Sequence, residues 1–87
     1  MSQSGSLRDF MRSEFIGRDV KVLDKRGEEI ASGCVTWETR NMIHVGDPPK
    51  KFEKRTHRFL FLTEEGEIVV DGSRIVFRPE ERIKRLR

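Results

Sequence analysis

The sequence has few of the residues that catalysis, metal binding or an oxidising compartment would require. One cysteine, Cys34, excludes an internal disulfide, so nothing in the chain indicates secretion. Cys34 and the two histidines, His44 and His57, stand at no spacing typical of metal ligands. The seven glycines are dispersed rather than gathered in a phosphate-binding loop. We therefore expect no metal site, no cofactor and no catalytic residues in this chain.

Long apolar runs are also missing. Hydrophobic residues make up 34% of the 87 residues and charged residues 38%. No stretch approaches the length of a transmembrane helix, and the polar residues 1–6 do not have the pattern of a signal peptide. We expect a disordered tail at 1–6, a single small domain at 7–87, no membrane partner and a cytoplasmic location.

The net charge is +3, and the cations are concentrated in two stretches. Residues 50–58 contain five cations against one anion, and residues 78–87 contain five cations against two anions. Two such clusters on a small domain suit a polyanionic partner, whereas a solvated surface is the alternative for any single cation. The paired glutamates at 28–29, 64–65 and 80–81 fall on predicted turns or at a helix start, where general acid–base chemistry is not expected.

Apolar residues alternate with a period of two through most of the chain, which predicts short β-strands. Glycine or asparagine turns separate them at 24–27, 39–41, 63–66 and 71–72, with positive φ expected at Asn41 and Gly72. Gly33, in the middle of the longest strand, predicts a sharp bend. The predicted strands are 20–22, 29–38, 42–45, an edge strand near Phe52, 59–62 and 67–70. Five or six short antiparallel strands and so few residues favour a small bent barrel.

Two short helices are predicted at the ends. Ser6 is a suitable cap for a helix over 7–15, and Leu7, Phe10 and Met11 fall on one face of it. Such a face is commonly core, but this helix precedes the sheet, so we predict that these three side chains contact a protein partner. Pro79 predicts the start of a second, basic helix after Arg78.

Two stretches carry a resemblance to a known family. Residues 38–43, Glu-Thr-Arg-Asn-Met-Ile, and residues 71–82, Asp-Gly-Ser-Arg-Ile-Val-Phe-Arg-Pro-Glu-Glu-Arg, resemble the small protein subunit of archaeal ribonuclease P. Residues 15–17 and Lys54 ahead of 59–61 match as well, so the resemblance covers about 16–85. It implies an all-β, Sm-like (SH3-like) barrel, related to a eukaryotic subunit shared by ribonucleases P and MRP. Residues 46–49 depart from the pattern, because a longer polar hairpin is expected there.

The resemblance also implies a non-catalytic function. In that family the RNA subunit, with magnesium, removes the 5′ leader of precursor tRNA. The protein stabilises the RNA on its specificity-domain side and pairs with a small zinc-ribbon subunit of the same particle. The expected partners are therefore the ribonuclease P RNA and that zinc-ribbon protein, with precursor tRNA contacted indirectly. An SH3-like adaptor or ribosome-associated module that binds mainly protein is the alternative, and an independent hydrolase is a third reading.

The predicted RNA-binding residues combine the resemblance with the basic clusters. Matched by position, the resemblance implies RNA contacts for Arg40, Asn41, Lys54, Arg74, Arg78 and Arg82. Two structural alternatives stay open: Asn41 as a turn former, and Arg78 as an ion-pair partner of Glu38 that closes the barrel. With the remaining cations of the two clusters, the full predicted set is Arg40, Asn41, Lys50, Lys51, Lys54, Arg55, Arg58, Arg74, Arg78, Arg82 and Lys84.

Overall fold

A computed structural model describes residues 10, 11 and 13–85 of the chain, without the side chain of Arg85. Within these residues no helix is long and apolar enough to cross a membrane. The predicted tail at 1–6 and residue Leu7 lie outside the described residues. The elements are β1 Asp19–Leu23, β2 Glu29–Glu38, β3 Met42–Val45, β4 Lys50–Glu53, β5 Arg58–Thr63, β6 Gly66–Asp71 and α1 Pro79–Arg85, with 3-10 turns at Lys54–Thr56 and Gly72–Ile75.

The six strands form one antiparallel sheet in the order β4-β3-β2-β1-β5-β6. Strand β2 belongs to two ladders, because Glu29 to Cys34 pair with β1 whereas Val35 to Glu38 pair with β3. Gly33, where a bend is predicted, lies next to this changeover; its φ is +155° and an added Cβ would lie 3.2 Å from Val45 Cγ1. The predicted fold class, a small bent antiparallel barrel, is therefore confirmed.

The sheet is not closed, since the described residues have no ladder between the edge strands β4 and β6. The 3-10 turns that follow these two strands contact each other instead. The Gly72 N–H donates to the carbonyl oxygen of His57 at 3.0 Å. A Cβ on Gly72 would overlap the carbonyl oxygen of Lys54, so the two turns approach each other backbone to backbone. The prediction of a positive φ at Gly72 is wrong, since glycine is required there for close approach rather than for an unusual φ.

The turn between β2 and β3 forms where predicted, but it is closed by hydrogen bonds of Thr39 rather than by a left-handed Asn41. No non-glycine residue in the described part of the chain has a positive φ, so Asn41 does not adopt the left-handed conformation expected of it. Thr39 closes the turn instead. Its N–H donates to the Met42 carbonyl at 2.9 Å, and its hydroxyl accepts the Met42 N–H at 3.1 Å.

The N-terminal residues contribute to the core. Phe10 and Met11 are helical but only 9% and 3% exposed, which corrects their prediction as partner contacts. The rings of Phe10 and Phe15 lie 5.0 and 4.7 Å from the ring of Phe61 in β5, so this aromatic cluster covers the inner face of the sheet. The helix predicted to reach Phe15 ends earlier, since both the N–H and the hydroxyl of Ser13 bind the Phe10 carbonyl.

Candidate nucleic-acid interface

Glu38, Lys54 and Arg82 form a buried ion cluster. All three side chains are completely buried. Glu38 Oε2 accepts from Lys54 Nζ at 2.8 Å and from Arg82 Nε at 3.0 Å, and Oε1 accepts from Arg82 Nη2 at 2.7 Å. One carboxylate therefore joins the end of β2, the first 3-10 turn and helix α1.

The two cations of this cluster also bind backbone carbonyls. Arg82 Nη1 donates to the carbonyls of Met11 and Ser13, the second at 2.6 Å, and its guanidinium lies 3.7 Å from the ring centroid of Phe15. Lys54 Nζ donates to the Phe77 carbonyl at 3.0 Å. No buried side-chain N or O atom in the described part of the chain lacks a hydrogen-bond partner. All polar groups of the cluster are therefore hydrogen-bonded, and Arg82 connects the N-terminal segment to the C-terminal helix.

The prediction that Lys54 and Arg82 contact RNA is therefore corrected, because neither side chain reaches the surface. The alternative role predicted for Arg78 is wrong as well: Lys54 and Arg82 are the ion-pair partners of Glu38, and Arg78 is exposed. Glu38 lies 16 residues from Lys54 and 44 from Arg82 in the sequence. No local pattern connects residues at such separations, so only the fold reveals the cluster.

The cluster carries one excess positive charge, which affects Lys54. Burial lowers the pKa of Lys54 below its ordinary value of 10.5; hydrogen bonding and charge attraction from Glu38 oppose that shift, and Arg82 adds to it. Between the lowered pKa and 10.5 the unfolded chain holds the proton and the folded chain does not. The unfolded state then binds more protons, so folding stability rises with pH across this window and the gain is lost as pH falls through the folded-state pKa.

We expect Lys54→Met to reduce this alkaline rise in stability. The slope of the unfolding free energy against pH should fall by up to about 1.4 kcal/mol per pH unit below 10.5, the contribution of one proton. Urea titrations at several alkaline pH values measure the slope. The control is Lys84→Met, which removes the same charge from an exposed position on α1. Parallel pH slopes for the two variants would contradict the prediction.

Three grooves adjoin one another through shared lining residues. The first, of about 660 Å³, is lined by Trp37, Arg40, Asn41 and Arg78 among others. The second shares Asn41 and adds Arg55 and Thr56, and the third shares Arg55 and Thr56. Carboxylates of Glu14, Glu53, Asp71 and Glu80 also line these grooves. We call the cations of the three grooves, together with Asn41, the basic band. It comprises Lys25, Arg40, Asn41, Arg55, Arg58 and Arg78.

The buried cluster positions this band. Arg40 and Asn41 lie two and three residues after Glu38, the last residue of β2. Arg55 follows Lys54 in the 3-10 turn, and Arg78 precedes the helix that Arg82 anchors. The Lys54 N–H also donates to the Asn41 carbonyl at 2.8 Å, which joins two of these segments directly. Exposed arginines held on so rigid a frame lose little backbone entropy when they bind a ligand.

Topology brings Lys25 into the band, and the sequence prediction missed it. Lys25 lies in the first hairpin turn, outside both basic clusters of the sequence. Leu23 pairs with Arg58 across the β1–β5 ladder, so that turn lies beside the third groove. Asp71 borders the same groove and lies opposite Arg58 in the β5–β6 ladder. Hydrogen bonds from the backbone and hydroxyl of Ser73 lower the pKa of Asp71, so its carboxylate stays ionised.

The remaining predicted residues lie outside the band. Lys50 borders a separate groove with Ile30 and Pro48, and Lys51 lies opposite His44 in the β3–β4 ladder. Burial, with a smaller contribution from the charge of Lys51, lowers the pKa of His44. Arg74 is exposed in the second 3-10 turn and Lys84 on α1. In the described part of the chain no three or more His, Cys, Asp or Glu side chains are grouped to hold a metal ion.

Comparison with known proteins identifies one family. The family described as ribonuclease P/MRP, subunit p29 matches residues 8–85. A Ribonuclease P protein component 1 from Methanosphaera stadtmanae is 40% identical over 83 residues, covering 90% of this chain and 89% of that protein. The protein of the same name from Methanothermobacter thermautotrophicus is 38% identical over 84 residues and covers 90% of each chain.

A solved structure shows the same fold. It is described as the structure of Mth11, a homologue of the human RNase P protein Rpp29. It superimposes with a TM-score of 0.51 and 35% sequence identity, over 82% of this chain and 99% of that one.

Proposed function

The chain belongs to the ribonuclease P/MRP subunit p29 family, and from this premise we propose that it is a non-catalytic, RNA-binding subunit of the ribonuclease P particle. That particle removes the 5′ leader of precursor tRNA. The relatives from Methanosphaera stadtmanae and Methanothermobacter thermautotrophicus are named ribonuclease P protein components, which supports a place in this particle. The proposed task of this chain is to stabilise the catalytic RNA, while magnesium and the cleavage chemistry belong to the RNA.

The basic band is the observation that carries the proposal. Four of its members are arginines, and their planar guanidinium groups can donate two parallel hydrogen bonds to a phosphate. Each phosphate that they neutralise releases condensed counterions, which favours binding at moderate salt. Because the band crosses several segments of a rigid barrel, it suits an RNA whose backbone already has a fixed shape.

The remaining elements of the proposal concern the other predicted residues and partners. Lys50, Lys51, Arg74 and Lys84 stay predicted RNA contacts beyond the band. A small zinc-ribbon subunit of the same particle is the proposed protein partner, precursor tRNA is contacted indirectly, and the particle acts in the cytoplasm. The adaptor alternative loses support because two of the three side chains on which it rested, Phe10 and Met11, are core residues.

Salt dependence tests the proposed RNA interface. We expect Arg55→Ala to weaken binding of the ribonuclease P RNA and to reduce the log–log slope of affinity against potassium by about one. Lys21→Ala is the control, since Lys21 is a half-exposed cation of β1 outside every predicted site. Affinity is measured by filter binding over a range of potassium concentrations. An Arg55→Ala slope equal to that of the wild-type protein would contradict the proposal.

A further inference from the structure

The third groove, of about 360 Å³, combines cations with one carboxylate. It lies where the first hairpin turn approaches the two 3-10 turns. Lys25, Arg55 and Arg58 line it as exposed cations, and the exposed residues Asp71 and Ser73 lie beside them. Three cations favour a phosphate, but an uncompensated carboxylate at the same place repels one. The ligand that suits this groove therefore has a negative group and, close to it, a hydrogen-bond donor.

One carboxylate oxygen of Asp71 is fixed by the protein and the other can bind a ligand. Asp71 is the last residue of β6, and its Oδ1 accepts the Ser73 N–H at 3.0 Å and the Ser73 hydroxyl at 2.8 Å. These two hydrogen bonds lower the pKa of Asp71; burial opposes the shift, and the charges of Arg58 and Arg74 add to it. The carboxylate is therefore ionised and held in one orientation, and its Oδ2 can accept a further hydrogen bond.

Arg58 and Asp71 lie directly opposite each other in the β5–β6 ladder. Cross-strand partners lie on the same face of a sheet with their Cβ atoms about 5 Å apart, so a cation and an acceptor stand side by side. None of the ion pairs in the described part of the chain involves these two residues or Arg55. The guanidinium and the carboxylate can therefore each bind a different group of one ligand.

We propose that this groove binds one ribose–phosphate unit of the RNA backbone and recognises its 2′-hydroxyl. The inference rests on the proposed function and names the chemical group that one part of the basic band recognises. The phosphate lies among Lys25, Arg55 and Arg58, and the adjoining 2′-hydroxyl donates a hydrogen bond to Asp71 Oδ2. This hydroxyl is the group by which a protein can distinguish RNA from DNA at a given site.

A backbone without the 2′-hydroxyl fits this groove less well. It supplies no donor, so the ionised Asp71 then lies uncompensated beside a phosphate of the same charge. The proposed contacts involve sugar and phosphate only, and such contacts carry no direct information about base sequence. We therefore expect a preference for ribose that is independent of the bases.

Two hairpins of identical sequence test the preference. One is RNA, and the other has 2′-fluoro-ribose throughout, which keeps the A-form shape but has no hydroxyl to donate. We expect the RNA hairpin to bind about 3- to 10-fold more tightly, the range expected for one net hydrogen bond. Affinity is measured by filter binding at fixed potassium concentration. Equal affinities, or no binding of the RNA hairpin, would overturn the proposal.

The variant Asp71→Asn assigns the preference to this groove. Asparagine caps a helical turn as well as aspartate does, so its oxygen can keep the bonds from Ser73 while its amide group replaces Oδ2 by a donor. The ratio of the two hairpin affinities should fall to about one, because the acceptor for the hydroxyl is lost. The 2′-fluoro hairpin should bind this variant more tightly than it binds the wild-type protein, because a negative charge beside the phosphate is removed.

The matched control is Glu67→Gln, which removes the same charge from an exposed position at the other end of β6 and lines none of the three grooves. It should keep the wild-type preference for the RNA hairpin. Thermal melting of both variants checks that the fold is retained. An Asp71→Asn variant that keeps the wild-type preference would place the hydroxyl contact elsewhere and overturn the proposal. If Arg55→Ala still reduces the salt slope with ribonuclease P RNA in that case, the proposed function stands without this inference.

Discussion

Replacing Glu38 by glutamine is expected to destabilise the protein by about 3–5 kcal/mol, because it leaves two buried cations without a counter-charge. A glutamine oxygen still accepts one hydrogen bond, but the side-chain amide would be forced against Lys54 or Arg82. Small domains unfold with only about 5–15 kcal/mol, so this variant should be substantially unfolded at moderate urea. Urea titration followed by circular dichroism measures the loss.

The matched control is Glu65→Gln, the same exchange at an exposed position in the turn between β5 and β6. That variant should lie within about 0.5 kcal/mol of the wild-type protein. A Glu38→Gln variant that unfolds at the same urea concentration as this control would refute a structural role for the ion cluster.

Gly72→Ala is expected to have a comparable effect for a steric reason. The added methyl group would overlap the carbonyl oxygen of Lys54 and lie 2.7 Å from that of His57, and both atoms belong to backbone. Neither carbonyl can move without separating the two 3-10 turns. We expect a loss of more than about 4 kcal/mol, which is unusual for the addition of a single methyl group.

Gly27→Ala serves as the control. Gly27 has a φ of +89° and open space around the added methyl group, so alanine there suffers backbone strain only. Its cost should be about 1–2 kcal/mol. Urea titrations of both variants compare the unfolding free energy lost to steric overlap at Gly72 with that lost to backbone strain at Gly27. If Gly72→Ala were no more destabilising than Gly27→Ala, the turns would not be in the close contact described.

The strands and the C-terminal helix could be predicted from the sequence because their signals are local. Alternation marks β1, a run of four apolar residues marks β5, and the start of α1 at Pro79 follows from the properties of a single residue. The errors arose where tertiary contact decides. The sequence predicts glycine at position 72 for a positive φ, whereas close backbone approach is what requires glycine there. It also predicts that Phe10 and Met11 contact a partner protein, whereas both side chains are buried in the core of this chain.

The candidate site was predictable only in part. A count of charges finds Arg55 and Arg58, because cations crowd that stretch of sequence. The same count wrongly includes Lys54, which the fold turns inward, and omits Lys25, which the β1–β5 pairing brings near. The density of charge along a sequence does not show whether a side chain points into the core or toward solvent. That orientation depends on partners far away in the sequence, as for Lys54 and Glu38.

The order in which the ion cluster becomes available during protein synthesis follows from its three positions. A growing chain exposes Glu38 first and Lys54 next, which together make a neutral pair, and Arg82 only after all six strands have been made. Until Arg82 emerges, the carbonyls of Met11 and Ser13 have no guanidinium to bind. We therefore expect Met11 and Ser13, although they are made before the sheet, to dock onto it last.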